Sequence, residues 1–329
     1  MRRMIWFIGI CLIVACSKPM IAAFGSNSEV LIVTTPRCAS EAAKLKNILE
    51  REIVTVQYEK AFNVRIVTAA DLRTELSRKN IVLLDFLTPA SDLEGRIRDV
   101  AGASFGALKE GKLNRCVAYD RWAKGQAVMV ITAPSKNDLD EFLENKADEI
   151  FDFVDACVQT RLNKALFYAG EQKAASERLL KTYGWTLRLP RGYEIDESYA
   201  SERVVKIMKD KPARMITVYW EGGTWEDEPA TCLERKRMLA WDYWDEDEVI
   251  DETLEIKQGD FVGYEATVLT GAWQNRKYTI GGIFVTYCFT CSESGRHYVV
   301  DAAVFAPGLD KLPLMRELKA ILSTFRCKP

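Results

Sequence analysis

A chain of 329 residues has room for two domains or one large one, and 48% hydrophobic and 28% charged residues with only 10 prolines exclude disordered, collagen-like and low-complexity architectures. Forty-five Lys and Arg against 47 Asp and Glu give a net charge of −2 with no polybasic block, which removes nucleic acid as a partner. The single histidine, His297, excludes every paired-histidine metal site and leaves any Ser or Cys nucleophile one base to share.

The first sixteen residues read as an address. Met1-Arg2-Arg3-Met4 supplies a cationic start, and the apolar run from Ile5 to Ala15 is too short for a membrane span of ~20 residues. It closes on Ile13-Val14-Ala15-Cys16, which resembles the bacterial lipobox, so residues 1–16 are expected to be a lipoprotein signal peptide with Cys16 as the lipidated N-terminus. The same run also admits a signal cleaved after Ala22 or Ala23, and an uncleaved anchor. Ser17, standing where an Asp would follow the cysteine, resembles signals that permit transfer to an outer membrane. The expected location is therefore the bacterial cell envelope, lipid-anchored, at the outer rather than the inner membrane.

Residues 17–28 are small and polar with one proline and suit a short tether. Glu29–Thr34 is β-branched and predicts a strand, after which Ala42, Leu45, Ile48 and Leu49 mark one helix face. The strand signal repeats at Val64–Val67, Ile81–Phe86 and Ala127–Thr132. Helical stretches fall at Ala69–Ser77, Ser91–Lys109 and from Lys136 onward, so residues 29–183 are expected as an α/β layered domain ending in long helices. Ser135 or Asn137 offers an N-cap for the last stretch, which extends to Thr182; as one rod it would be about 70 Å long, so a break is expected near Ala169-Gly170. Tyr183-Gly184 ends it, and the domain boundary is placed at Gly184.

Residues 184–329 are strand-rich, with predicted strands at Trp185–Leu189, Arg203–Met208, Arg214–Trp220, Thr253–Lys257, Val262–Thr270, Tyr278–Cys291 and Arg296–Phe305. One helix, Ala230–Trp244, interrupts them, and another, Leu309–Phe325, closes the chain. Cys291–Arg296 contains Gly295 and supplies a hairpin turn, so the last two long strands are expected to pair antiparallel and the final helix to dock on their sheet. The fold class is α+β, an N-terminal α/β layered domain followed by an antiparallel sheet with packed helices.

Gly263-Tyr264-Glu265-Ala266, Gly271-Ala272-Trp273, Gly281-Gly282-Ile283-Phe284-Val285 and the run Tyr298 to Gly308 occur in that order, followed by Leu314 to Leu322. Together they resemble the family of bacterial lipoproteins numbered 4837 among the domains of unknown function, most clearly over residues 183–325. The resemblance implies a lipid anchor and carries no catalytic residue. The order of strands and helices also looks like the PsbP-type sandwich, and fold does not give function.

Several constellations bear on chemistry. Gly102-Ala103-Ser104-Phe105-Gly106 matches the nucleophile-elbow pattern, with Asp301 and His297 downstream, yet the preceding stretch is charged and helix-like and the chain order of acid and base is reversed. Gly106 to Leu113 approaches a phosphate loop but puts Leu113 where a hydroxyl must bind magnesium. Cys288-Phe289-Thr290-Cys291 has redox spacing but ends a strand, where residues three apart point to opposite faces and do not bond each other. Removal of Cys11 and lipidation of Cys16 leave seven cysteines, an odd number read as mostly buried thiols. The acidic run Asp242 to Glu252 lacks the register of a calcium loop and reads as a solvated face.

No cofactor and no metal is expected, and the reading favours a non-enzymatic module. The function expected is a membrane-anchored lipoprotein that binds or assembles with an unknown envelope protein, glycan or lipid, held to the membrane through Cys16. The alternative is an envelope hydrolase or thiol oxidoreductase using Ser104 or Cys288. Trp220 and Trp241 are assigned to the core, Trp241 because it follows the period of Leu233 and Met238, whereas Trp225 and Trp244 lie among acidic residues and are the expected binding surface.

Overall fold

Continuous apolar runs build the first layer. The computed structural model describes residues 20–54, 58–88, 91–223 and 229–328; Cys16 and Trp225, both expected sites, lie outside the described residues. The chain opens with β1 (Glu29–Thr34), α1 (Ala39–Leu49), a hairpin of β2 (Glu52–Val54) and β3 (Tyr58–Lys60), β4 (Asn63–Thr68), α2 (Leu72–Glu75) and β5 (Asn80–Phe86). It continues through α3 (Glu94–Ala101), α4 (Phe105–Lys109), β6 (Arg115–Tyr119), β7 (Ala127–Ala133), α5 (Lys136–Asn145) and α6 (Ala147–Ala165). The sheet order is β4-β1-β5-β7-β6, parallel except for β6. Every residue of β7 is buried, as a parallel strand covered on both faces requires. Helices α1, α5 and α6 cover one face around Ile32, Val82 and Ile131, and α3 and α4 cover the other around Leu31, Leu83 and Val130.

The long helical stretch after Ser135 is three helices, not two: α5, α6 and α7 (Lys173–Tyr183). Ser135 caps α5 by accepting from the Asp138 amide at 3.2 Å. The break at Lys146 (φ −126°, ψ 29°) carries no glycine or proline, whereas the second break contains Gly170 at φ +123°. Leu179 of α7 lies in the second core beside Trp185, so the change of core falls between α6 and α7, upstream of the boundary placed at Gly184. The expected tether is also shorter than residues 17–28. The Ala23 amide donates to the Lys124 carbonyl at 2.8 Å and the Phe24 amide to that of Ser77 at 2.9 Å, which lays this stretch on the first domain.

The second layer comprises β8 (Trp185–Thr186), β9 (Glu194–Asp196), β10 (Val204–Lys209), β11 (Ala213–Glu221), α8 (Pro229–Tyr243), β12 (Glu248–Phe261), β13 (Tyr264–Asn275), β14 (Ile280–Cys291), β15 (Arg296–Phe305), α9 (Leu312–Leu322) and β16 (Arg326–Cys327). Seven strands form an antiparallel sheet in the order β12-β13-β14-β15-β11-β10-β9. The expected hairpin is present, with Ile283 opposite Val304 and Cys291 opposite Arg296. Helix α9 docks on one face through Met315, Leu318, Ile321 and Leu322, and α8 on the other through Cys232 and Leu239. The fold is α+β. Gly282 allows β14 and β15 to meet, since a Cβ there would stand 1.7 Å from the Val304 carbonyl oxygen.

Two disulfides brace this sheet, against the expectation of mostly free thiols. Cys232–Cys288 ties α8 to β14, and Cys291–Cys327 ties β14 to β16. Cys288 and Cys291 do not bond each other, as their opposite facing on one strand requires. The domains meet through α9. Arg316 donates to Asp155 of α6 at 3.0 and 2.7 Å and to the Ala61 carbonyl at 2.9 Å, and Glu59 of β3 accepts from the Lys311 and Leu312 amides at the start of α9.

Candidate functional site

A groove of about 620 Å³ opens between helix α8 and the first residues of β12. Trp241 lies in this groove and is 50% exposed. Two consecutive residues in the left-handed region, Asp245 (φ +50°) and Glu246 (φ +69°), close α8, and the chain folds back so that the Asp247 amide bonds the Ala240 carbonyl at 3.2 Å. That reversal sets Asp247, Glu248 and Asp251 opposite Glu234 and Asp242 of the helix, five carboxylates around one indole with two guanidiniums, Arg237 and Arg276. Both cations are taken: Arg237 pairs with Asp251 at 2.5 Å and Arg276 with Glu248 at 2.7 Å. Glu234 and Asp242 have no cationic partner among the described residues.

Asp247 links this groove to a buried polar cluster beneath α8. A cavity of about 10 Å³ is lined by Asp247, Lys236, Trp244, Trp273 and Asp301. Burial pushes the Asp247 carboxyl up to about 6, although the Asn275 side-chain amide donates to it at 2.8 Å and opposes the shift. The Trp273 indole nitrogen is buried with no acceptor among the described residues. A carboxyl with a raised pKa at the base of an open groove is a feature of binding sites and catalytic sites alike.

Of the expected tryptophan surface, Trp225 lies outside the described residues and Trp244 follows Trp241 by three residues. Trp244 is half-buried, donates to Thr217 Oγ1 at 2.9 Å and lies under the Lys206 ammonium at 4.9 Å from its ring centre. Trp220 is 7% exposed, in the core as expected, whereas Trp241, assigned to the core, is the exposed ring. The reason is Lys236. The buried face of α8 is Cys232, Lys236, Leu239 and Ala240, so a count of apolar periods turns the helix toward Leu233 and Met238, which are only half-buried.

The residues of the hydrolase and oxidoreductase alternative are not assembled. Ser104 ends a single turn of 3₁₀ helix, Gly102–Ser104, between two α-helices, without the strand-to-helix turn of an elbow. Asp301 is held in the second domain by Lys236 and Thr286, and His297 donates from Nε2 to the Gly223 carbonyl and meets Thr290 through Nδ1. His297 is 7% exposed. Cys288 is consumed by its disulfide.

One polar cluster had no sequence signal. At the carboxyl ends of β1 and β5, where the strand order reverses, Asp85 is fully buried and accepts from Thr35, Arg37 and Cys38 at 3.0–3.2 Å and also from Ser91. Burial, reinforced by Asp85, pushes the Cys38 thiol up to about 12. The cluster locks the loop after β1 and leaves no reactive thiolate.

Comparison with known proteins gives two family matches. Residues 23–165 match a domain of unknown function, DUF8532, and residues 245–324 match a second, DUF4837. No curated protein matches the chain. Among solved structures it is similar to a Bacteroides thetaiotaomicron VPI-5482 protein at 7% identity, over 44% of this chain and 46% of that one, with a TM-score of 0.29. This chain thus spans about half the length of that protein. It is also similar to LpqN of Mycobacterium tuberculosis, described as involved in cell envelope biogenesis, at 12% identity, 44% and 83% coverage and a TM-score of 0.29. The Ran-binding protein Mog1p of Saccharomyces cerevisiae matches at 10% identity, 44% and 92% coverage and a TM-score of 0.31. Over residues 245–324 the chain carries the domain of the DUF4837 family, the family its closing strands and helix resemble in sequence.

Proposed function

We propose that this chain is a lipid-anchored protein of the bacterial envelope that acts as a binding module, and that the groove around Trp241 is its docking face for a cationic segment of an envelope partner. The observation that carries the reading is the half-exposed Trp241 ring among five carboxylates, three of which, Glu234, Asp242 and Asp247, have no ion-pair partner among the described residues. An indole face attracts Lys or Arg, and carboxylates around it add charge complementarity, which raises the association rate and excludes anionic partners. The anchor is supported by the pattern that ends at Cys16.

A short Lys- and Arg-rich peptide titrated against the full chain should quench tryptophan fluorescence, with an affinity that falls as salt rises. Trp241→Ala should weaken it by about tenfold, or about 1.4 kcal/mol, without lowering the melting temperature, because half of the ring is already in water. Equal affinity in the variant, or preference for a neutral glycan over the peptide, would overturn the reading.

A further inference from the structure

A second cavity lies between the two domains, away from Trp241. Its volume is about 490 Å³, within the ~300–1,000 Å³ of small-molecule sites. Leu312, Met315 and Lys319 of α9 line it, at spacings of three and four that place them on one helix face. Ile283 and Val285 of β14 form the opposite wall, and Ile53 of the β2–β3 hairpin contributes from the first domain.

The wall is opened by an irregularity in β12 between Ile250 and Glu255. There the Ala272 amide donates to Thr253 Oγ1 at 2.8 Å, and Thr253 Oγ1 donates to the Ile250 carbonyl at 2.8 Å. A bulge of this kind re-aims side chains and recurs beside binding sites. Thr253 itself lines the cavity.

The helix stripe is apolar for one turn and ends on a cation. Lys319 has no hydrogen bond or ion pair among the described residues. Asp155, the acid whose charge it feels, is bonded by Arg316, and Glu255 on the exposed side of β12 pairs with Lys257 at 2.8 Å. Glu252 lies on the same exposed strand, at the mouth. Lys319 is exposed to solvent, and the protein packed around it pushes its amine below the usual lysine range.

We propose that this cavity binds a single-chain fatty carboxylate, its alkyl chain along Leu312 and Met315 and its carboxylate on Lys319 Nζ. Leu312 to Lys319 spans about 10 Å along the helix, the reach of a medium-length chain. A carboxylate supplies the charge that Lys319 lacks, and the chain covers apolar walls contributed by both domains. This inference does not depend on the Trp241 groove.

Isothermal titration of the full chain with dodecanoate should show saturable 1:1 binding, at least tenfold tighter than dodecanol. Lys319→Gln should weaken dodecanoate by about tenfold and leave dodecanol unchanged, whereas Lys319→Arg should keep the preference for the acid. Ile53→Trp, which fills the cavity from the first domain, should abolish binding of both. Absence of saturable binding, equal affinity for acid and alcohol, or full affinity in Lys319→Gln would overturn the proposal.

Discussion

Lys236 of α8 stands 2.9 Å from both carboxylate oxygens of Asp301 on β15, with the two side chains 4% and 5% exposed. Thr286 donates to the same carboxylate at 2.6 Å, and the Lys236 ammonium lies 4.5 Å from the centre of the Phe284 ring. The pair pins the middle of α8 to the sheet, one turn after the Cys232–Cys288 bridge. Replacing only Lys236 with Met should leave Asp301 charged and buried, at a cost of about 3–5 kcal/mol. Lys236→Met combined with Asp301→Asn keeps an acceptor for Thr286 and should recover most of that loss. Urea denaturation of the two variants decides it; equal loss in both would show that the cost is packing rather than charge.

Asp247 makes stability depend on pH. Its folded pKa of about 6 lies above the ordinary 3.8, because burial disfavours the charged form. The folded state therefore holds this proton more tightly, so the contribution of Asp247 to stability is greatest below about pH 4 and is lost as pH rises to about 6. Asp247→Asn keeps an acceptor for Asn275 and removes this fall. The variant should match the parent at pH 4 and be more stable at pH 7, by at most about 3 kcal/mol before solvent screening. Melting curves that run parallel between these pH values would count against the shift.

The elements were legible where one signal governed them. The buried runs of β1, β5 and β7, the β14–β15 hairpin and the apolar stripe of α9 follow from periodicity and turn chemistry alone. The rest needed long-range partners. Lys236 looks exposed until Asp301, 65 residues on, neutralises it, and this hid the true face of α8 and with it Trp241. Cysteine pairing cannot be deduced from spacing, so both disulfides were missed. Asp85 looks in sequence like one more residue of a strand, because its bonds come from Thr35 and Arg37, about fifty residues earlier. Lys146 interrupts the long helix without any glycine or proline to mark it.

The three remaining cysteines should be inert. Burial pushes Cys38 up to about 12 and Cys116 and Cys157 up to about 11. At pH 8 the thiolate fraction of each is on the order of 10⁻³ or less. If the chain is cleaved before Cys16 and that thiol is acylated, iodoacetamide should label no cysteine in the native protein and three in denaturant. Four more should appear after reduction, as Cys232, Cys288, Cys291 and Cys327 open. A thiol labelled in the native state, or a fourth in denaturant without reductant, would contradict the pairing.

The proposed anchor rests on one thiol and can be tested there. If Cys16 is the acylated residue, Cys16→Ala should abolish fatty-acid labelling and release the chain from the membrane fraction. No helix of the described residues is long and apolar enough to cross a membrane, so nothing helical in the described part should hold the variant there. The released protein should retain both disulfides and its affinity for the cationic peptide, since Trp241 and its carboxylates belong to the second domain. A variant that remains acylated or membrane-bound would remove the lipobox assignment and leave the groove reading intact. Loss of peptide affinity on release would instead mean that the groove works only at the membrane surface.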